Sequence, residues 1–265
     1  MFEITPLPAF KDNYIWLLTR GNDAYVVDPG DAAPVFAAVE AAKLRLTGIL
    51  ITHHHADHQG GVAALVERYQ PLVFAPASES ITGCNRPLSG GETLDVLGVE
   101  VSVLAVPGHT FGHLAYLAPG VLFCGDTLFG AGCGRLFEGT PEQMTASLEA
   151  IAALPDDTRI YCAHEYTAMN LPFALAVEPE NTAIQARVAA VTARRAAGLA
   201  TVPLMLGEEK ATNPFLRCDQ PAVIAAARQH DPSLLSTANG GDPRAAVNPK
   251  KWQIFGAIRA WRNVF

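Results

Sequence analysis

Short apolar runs alternate with stretches of helical spacing through the first two-thirds of the chain. Residues 14–18 and 24–27 read as neighbouring strands, the second ending at the turn Asp28-Pro29-Gly30. Residues 32–43 are alanine-rich with few breakers and predict a helix. Residues 46–52 form a compact apolar run, the pattern of a buried strand, before helical spacing returns over 61–69 and a strand follows over 72–75. Three further strands are predicted over 99–106, 113–117 and 121–124, with Pro107-Gly108 and Pro119-Gly120 as turn signals between them. Thr140-Pro141-Glu142-Gln143 has the form of a helix start, with a capping threonine, proline at N1 and glutamine at N3. Residues 159–162 close the set as a short strand.

Strands and helices mixed in this way imply an α/β fold in which sheet layers are covered by helices. After about residue 174 the strand-like runs stop. Residues 181–197 place Ile184, Val188 and Val191 at helical spacing and end at Gly198, a C-cap residue. Pro221 opens another helix, and residues 250–262 form a third with Trp252, Phe255 and Ile258 along one side. The expected division is one domain over 1–174 and a small helical domain over 175–265, with no internal repeat.

Composition narrows the class of protein. About half of the 265 residues are apolar, enough for a sizeable packed core, yet no stretch reaches the ~18 to 20 apolar residues that cross a bilayer. A formal charge of −7 speaks against a nucleic-acid binder, which normally shows a basic footprint. The first residues carry an early glutamate and lack the basic and apolar regions of a secretory signal. Cys84, Cys124, Cys133, Cys162 and Cys218 are odd in number and never form a C-x-x-C pair, so they read as reduced thiols in a cytoplasmic protein. Without a long exposed apolar stripe, a monomer is expected.

The chemistry sits where strands end. Thr52-His53-His54-His55-Ala56-Asp57-His58 follows directly on the buried run over 46–51 and packs four potential metal ligands into six residues. His53 and His55 are two apart, so in an extended segment they point to one side, while Asp57 and His58 lie past the turn and face a neighbouring point. Three more candidates follow apolar strands: His109 after Pro107-Gly108, Asp126 after Gly125, and His164 after Ala163. Each alone is an ordinary loop residue. Together they complete two sites, with His53, His55 and His109 on one ion, Asp57, His58 and His164 on the other, and Asp126 bridging. The donors are nitrogen and oxygen, which zinc, iron and manganese all accept, with zinc the default. Of the eight histidines, His54 and His113 are expected to support the ligands and His230 to be an ordinary surface residue.

The ordered set THHHADH, PGHTFGH, GDT at Asp126 and AHE at His164 resembles the metallo-β-lactamase superfamily. That resemblance implies an αββα sandwich with the metals at one edge of the paired sheets, and a supporting role for Asp28, which by itself reads equally as a turn aspartate. Two ions side by side acidify a shared water to a pKa of about 7, so a hydroxide exists at neutral pH to attack an acyl carbon. Asp57 is placed to orient it as well as to bind metal. A thiolate leaving group, with a pKa near ~8.5, departs without a strong general acid, and no such acid is evident in the chain.

Within the superfamily, four segments resemble the glyoxalase II (hydroxyacylglutathione hydrolase) family: residues 130–140, GAGCGRLFEGT; His164-Glu165-Tyr166-Thr167; Asn213-Pro214-Phe215-Leu216-Arg217; and Arg259-Ala260-Trp261-Arg262. The likeness implies hydrolysis of S-2-hydroxyacylglutathione, such as S-D-lactoylglutathione, to glutathione and a 2-hydroxy acid in methylglyoxal detoxification. It also implies that Arg135, Phe137, Tyr166, Arg259 and Arg262 bind the glutathione thioester and that the helical tail is a substrate-binding domain. Arg259 and Arg262, three apart on one helix, are neighbours on one face; alone they would equally suit a solvated helix end. Arg135 and Arg262 stand where the family usually has lysine and Phe137 where it commonly has tyrosine, which changes the fork geometry and removes one hydroxyl donor. The competing activity on this scaffold is a glutathione persulfide dioxygenase with one iron, against which the helical tail and the GCGR loop speak.

Overall fold

The computed structural model describes residues 1–235 and 249–265. Its first sheet sets β1 (Glu3–Ala9), β2 (Asn13–Arg20), β3 (Asp23–Val27), β4 (Arg45–Leu50), β5 (Leu72–Pro76) and β6 (Arg86–Leu88) side by side in that order. The chain then builds β7 (Thr93–Val96), β8 (Val99–Ala105), β9 (Leu114–Ala118) and β10 (Val121–Gly125), followed by a small hairpin of β11 (Leu128–Phe129) and β12 (Gly132–Cys133). With β13 (Arg159–Cys162) and β14 (Leu204–Met205) these complete a second sheet in the order β14-β13-β10-β9-β8-β7. The helices are α1 (Ala32–Ala41), α2 (Ala56–Gln59), α3 (Val62–Tyr69), α4 (Pro141–Ala152), α5 (Thr167–Val177), α6 (Thr182–Ala196), α7 (Leu206–Thr212), α8 (Pro221–His230) and α9 (Lys251–Val264).

Strand periodicity sorts the core into layers. In β2, Ile15 and Leu17 pack with Val35, Val39, Val62 and Leu65 of α1 and α3, while Trp16 and Leu18 turn the other way, into the cluster shared with the second sheet. In β3 the same alternation sends Ala24 and Val26 to the helices and Tyr25 and Val27 between the sheets. Both faces of these strands are buried, which is why they read as continuous apolar runs. Met144, Leu148 and Ile151 of α4 and Ile254, Phe255 and Ile258 of α9 join the cluster of the second sheet. The result is the αββα sandwich of the metallo-β-lactamase fold with a helical C-terminal region.

Some elements went unpredicted for physical reasons. β1 carries Pro6 and Pro8, yet it lies at the edge of its sheet; two residues apart, both missing N–H donors fall on one side of the strand. α5 contains Pro172 and is buried on several sides, at Thr167, Asn170, Leu171, Phe173, Ala174 and Val177, so no single apolar stripe marks it. The domain division expected after residue 174 falls inside this helix. Among the described residues no helix is long and apolar enough to cross a membrane.

Candidate metal centre and substrate cavity

Four loops leave the two sheets at one edge. β4 continues through Ile51 to Thr52-His53-His54-His55, and His55 is the extended N-cap residue of α2, whose first residues present Asp57 and His58. The loop after β8 carries His109, the end of β10 carries Asp126, and the end of β13 carries His164. The sheets are stitched together at this rim, since Leu114 N donates to Thr52 O (2.8 Å) and Tyr14 N to Ala163 O (2.7 Å).

Hydrogen bonds orient each imidazole. Asp28, in the left-handed region at φ 51°, accepts from Thr52 N (2.8 Å), Thr52 Oγ1 (2.8 Å) and His58 Nδ1 (3.0 Å). Because Thr52 Oγ1 donates to Asp28, it is left to accept from His53 Nδ1 at 3.0 Å. His109 Nδ1 donates to Arg135 O (2.8 Å) and His164 Nδ1 to Asp12 Oδ1 (2.9 Å). The network thus places a proton on Nδ1 of all four rings and turns their Nε2 atoms inward.

Those nitrogens meet acceptors. His53 Nε2 and His109 Nε2 each lie 3.0 Å from His55 Nδ1, so three nitrogens converge with at most one proton among them. His58 Nε2 and His164 Nε2 each lie 3.4 Å from Asp126 Oδ1, and 3.6 Å and 3.5 Å from Asp57 Oδ2. Asp126 Oδ2 lies 3.5 Å from His109 Nε2, so this carboxylate reaches both groups. His58 Nε2 and Asp126 Oδ1 are buried without a hydrogen-bond partner. Such separations are long for hydrogen bonds but near the ~3.3 Å between ligands of a tetrahedral ion bound at ~2.0–2.1 Å. At this rim three trios bring their ligand atoms within 4.8 Å of one another, His53, His55 and His109; His53, His58 and Asp126; Asp57, His58 and His164, and a fourth, His54, Glu79 and Glu138, lies beside them. The donor set fits divalent metal.

The electrostatics agree. Burial, helped by neighbouring imidazoles, holds His53 and His113 well below the usual histidine range, and burial also lowers His55 and His109. His58 is pushed up to about 9: burial works against its charge, but the Asp126 and Asp28 carboxylates outweigh it. His164 is raised by the same balance, chiefly through Asp126. Burial works against the charged form of Asp126, yet His58 and His164 pull its carboxyl well below the usual range.

A cavity of about 390 Å³ opens beside the centre, lined by His109 and Asp126 and by all five residues expected to bind substrate: Arg135, Phe137, Tyr166, Arg259 and Arg262. Its described lining sets three guanidiniums against a single carboxylate, Asp126. Burial and the charges of Arg259 and Arg135 lower Arg262 from its ordinary value, the signature of cations crowded together. Tyr166 stacks on His164 with ring centroids 4.6 Å apart. Phe137 is 63% exposed, its ring meeting those of His55 and His109 edge-on at 5.4 and 5.3 Å. Arg259 is more buried than a solvated helix end would be, at 7% exposure, and donates from Nη1 to Cys133 O at 3.0 Å.

The remaining histidines divide. His113 is buried, stacks on His53 at 4.6 Å and accepts from Asp126 N through Nε2 at 3.2 Å. His54 pairs with Glu138 at 2.8 Å. His230 is exposed and stacks on Trp261 at 3.6 Å. Sequence reasoning missed Asp12 and Asn13, whose Nδ2 donates to Asp57 Oδ2 at 3.0 Å. Their signal is only a polar turn, visible as such once β1 is known to precede it.

Similarity to known proteins runs along the whole chain. Residues 10–164 match the family model of the metallo-beta-lactamase superfamily, and residues 165–265 match that of the hydroxyacylglutathione hydrolase C-terminus. A hydroxyacylglutathione hydrolase of Dechloromonas aromatica is 69% identical over 265 residues, covering 100% of both chains. Another, of Methylobacillus flagellatus, is 51% identical over 267 residues, again covering 100% of both. The solved structure of ETHE1 from Myxococcus xanthus shares the fold, with a TM-score of 0.64 and 24% identity over 100% of this chain and 99% of that one.

Proposed function

The chain belongs to the hydroxyacylglutathione hydrolase family of the metallo-β-lactamase superfamily, and from that membership we propose how its own residues carry the reaction. It is a metal-dependent thioester hydrolase that cleaves S-2-hydroxyacylglutathione to glutathione and a 2-hydroxy acid. The observation that carries the assignment of residues is the meeting, at one rim, of the histidine and aspartate trios with an arginine-lined cavity.

His53, His55 and His109 would hold one divalent ion and Asp57, His58 and His164 a second, with Asp126 within reach of both groups; we take both ions to be zinc, which suits nitrogen and oxygen donors as iron and manganese also do. When bound, such ions supply Lewis acidity and an acidified water. Asp57, steadied by Asn13, would be the carboxylate at hand to orient a water toward the acyl carbon. Arg135, Arg259 and Arg262 receive the two carboxylates of glutathione, and Tyr166 offers its hydroxyl beside His164. Phe137 stands beside His55 and His109, against the thioester end of the ligand. The glutathione thiolate leaves without a protein acid because it is stable near neutral pH.

We place the catalytic part in residues 1–174 and the substrate-binding helical part in 175–265, with α5 joining them. The reading includes a monomer in the cytoplasm acting on S-D-lactoylglutathione to release D-lactate; five free cysteines among the described residues accord with a reducing compartment. The test pairs metal analysis with thiol release from S-D-lactoylglutathione. About two metals per chain and rapid release are expected. Oxygen uptake with glutathione persulfide and a single iron would select the dioxygenase instead.

A further inference from the structure

The hairpin β11–β12 makes a demand that its own backbone does not meet. It is buried from Leu128 to Cys133, and its strands pair only through Leu128 with Cys133 and Phe129 with Gly132. Its remaining buried N–H and C=O groups need partners, and side chains of the C-terminal helical elements supply them. Asn213, at the end of α7, donates from Nδ2 to Phe129 O (3.1 Å) and Gly132 O (2.9 Å). Asn170 of α5 donates to Gly130 O at 3.1 Å. Ala131, held at φ 53° with no exposure, donates its N–H to Glu209 Oε2 of α7 at 2.9 Å. A Cβ at Gly130 would overlap Thr167, and one at Gly132 would overlap Asn170, so the helices close directly on the turn.

Glu209 is fully buried, and its other oxygen is bound by Arg187 of α6, itself 4% exposed. The hairpin runs straight into Gly134-Arg135. Gly134 packs against Asp126 and His109, and Arg135 O holds His109 Nδ1 at 2.8 Å. The polar cluster on α6 and α7 is therefore connected, through one short hairpin, to the wall of the substrate cavity and to the orientation of His109.

We infer that Glu209, with Arg187 and Asn213, is a positioning residue for the substrate cavity: it fixes the hairpin so that Cys133 and Arg135 stand at set places in the cavity wall. The inference rests on the thioesterase reading, because this hairpin acts on substrate only as part of that wall. A role in stability alone does not explain the choice of residues. The desolvation of a buried ion pair largely offsets its attraction, and a well-packed apolar pair serves stability as well or better. What an apolar pair lacks is an acceptor at a defined point for Ala131 N–H.

Two double variants separate these roles, each removing both charges. Arg187→Met/Glu209→Gln keeps an oxygen for Ala131 N–H, and Arg187→Met/Glu209→Met does not. With S-D-lactoylglutathione, the Met/Met variant is expected to show a KM at least about fivefold above that of the Met/Gln variant, at kcat values within about threefold and equal metal content. Equal KM values would overturn the inference while leaving the thioesterase intact; absence of thiol release from the unaltered protein would instead sink the thioesterase reading. Should either double variant fail to fold, amide hydrogen exchange on the unaltered protein decides. Residues 128–133 are expected to exchange with α6 and α7 as one unit, and faster exchange of the hairpin overturns the proposal.

Discussion

At His164 a single side chain is aimed by a partner from the far end of the sequence. Asp12 Oδ1 takes the Nδ1 proton at 2.9 Å, which turns the other nitrogen toward Asp126 and Asp57. Partners of this kind typically contribute about 10–100-fold in metal affinity or activity, so Asp12→Ala is expected to weaken metal retention by that order, read as metal lost to a competing chelator. Unchanged retention would mean that His164 holds its orientation unaided. The arginines call for different expectations. Arg262, partly exposed in the cavity lining and bonded to Asn170 Oδ1 at 3.3 Å, is proposed to serve mainly in ligand binding. Arg262→Ala should raise KM about tenfold or more with little change in kcat, the pattern of a lost ground-state contact to a charged group. Arg259 also caps Cys133 O and lies over the Phe215 ring at 5.1 Å, so Arg259→Ala should raise KM and lower the melting temperature together. Phe137→Tyr restores a hydroxyl at the cavity mouth and is expected to lower KM; a KM equal to that of the parent would show that no substrate group reaches this position.

At the level of elements, what could be read from sequence depended on whether an element carries a clean period. β2, β3, β4 and β10 do, and the seven candidate ligands stood out in the sequence because each lies in or just past a loop that leaves a strand. β1 and α5 do not, the first because of its prolines and the second because several of its sides are buried. Asp12 shared the fate of β1: without that strand, the segment before β2 looks like an unstructured start rather than a turn at the metal rim. The start of α4 shows the opposite case, a local signal strong enough to be read alone. Gln143 N donates to Thr140 Oγ1 (3.2 Å), and Thr140 N donates to Gln143 Oε1 (2.9 Å), which completes the capping box. This helix follows the loop in which Gly139 N bonds Gly108 O, next to His109. Thr140→Ala should destabilise the fold by about 1 kcal/mol, a drop in Tm of roughly 2–4 °C for a chain of this size. A Tm within error of the parent would show that the cap is satisfied by solvent.

For the molecule as a whole, four loops from two sheets converge on one set of donors, so folding and cation binding are linked. A metal that binds only the folded chain stabilises it by about 4 kcal/mol at a thousandfold excess over its dissociation constant, and stripping the metal should therefore lower the unfolding midpoint. The loss should depend on pH. In the metal-free chain, protons on His58 and His164 are what reconcile their Nε2 atoms with Asp126 and Asp57, and His58 accordingly sits at about 9, its burial outweighed by Asp126 and Asp28. A folded-state value above the unfolded one of about 6.5 means that the folded chain binds the extra proton. That contribution is complete below about pH 6.5 and disappears as pH rises through about 9. Above about pH 7.5, where the lowered histidines are neutral in both states, the metal-free protein should thus lose stability, while the loaded protein, whose inward nitrogens are committed to cations, should not. Denaturant midpoints at about pH 7.5 and about pH 9.5, above the range in which the lowered His53, His55, His109 and His113 differ in protonation from their unfolded forms, test the linkage with and without metal. Parallel curves for the two forms would mean that protons and cations do not compete for the same nitrogen atoms.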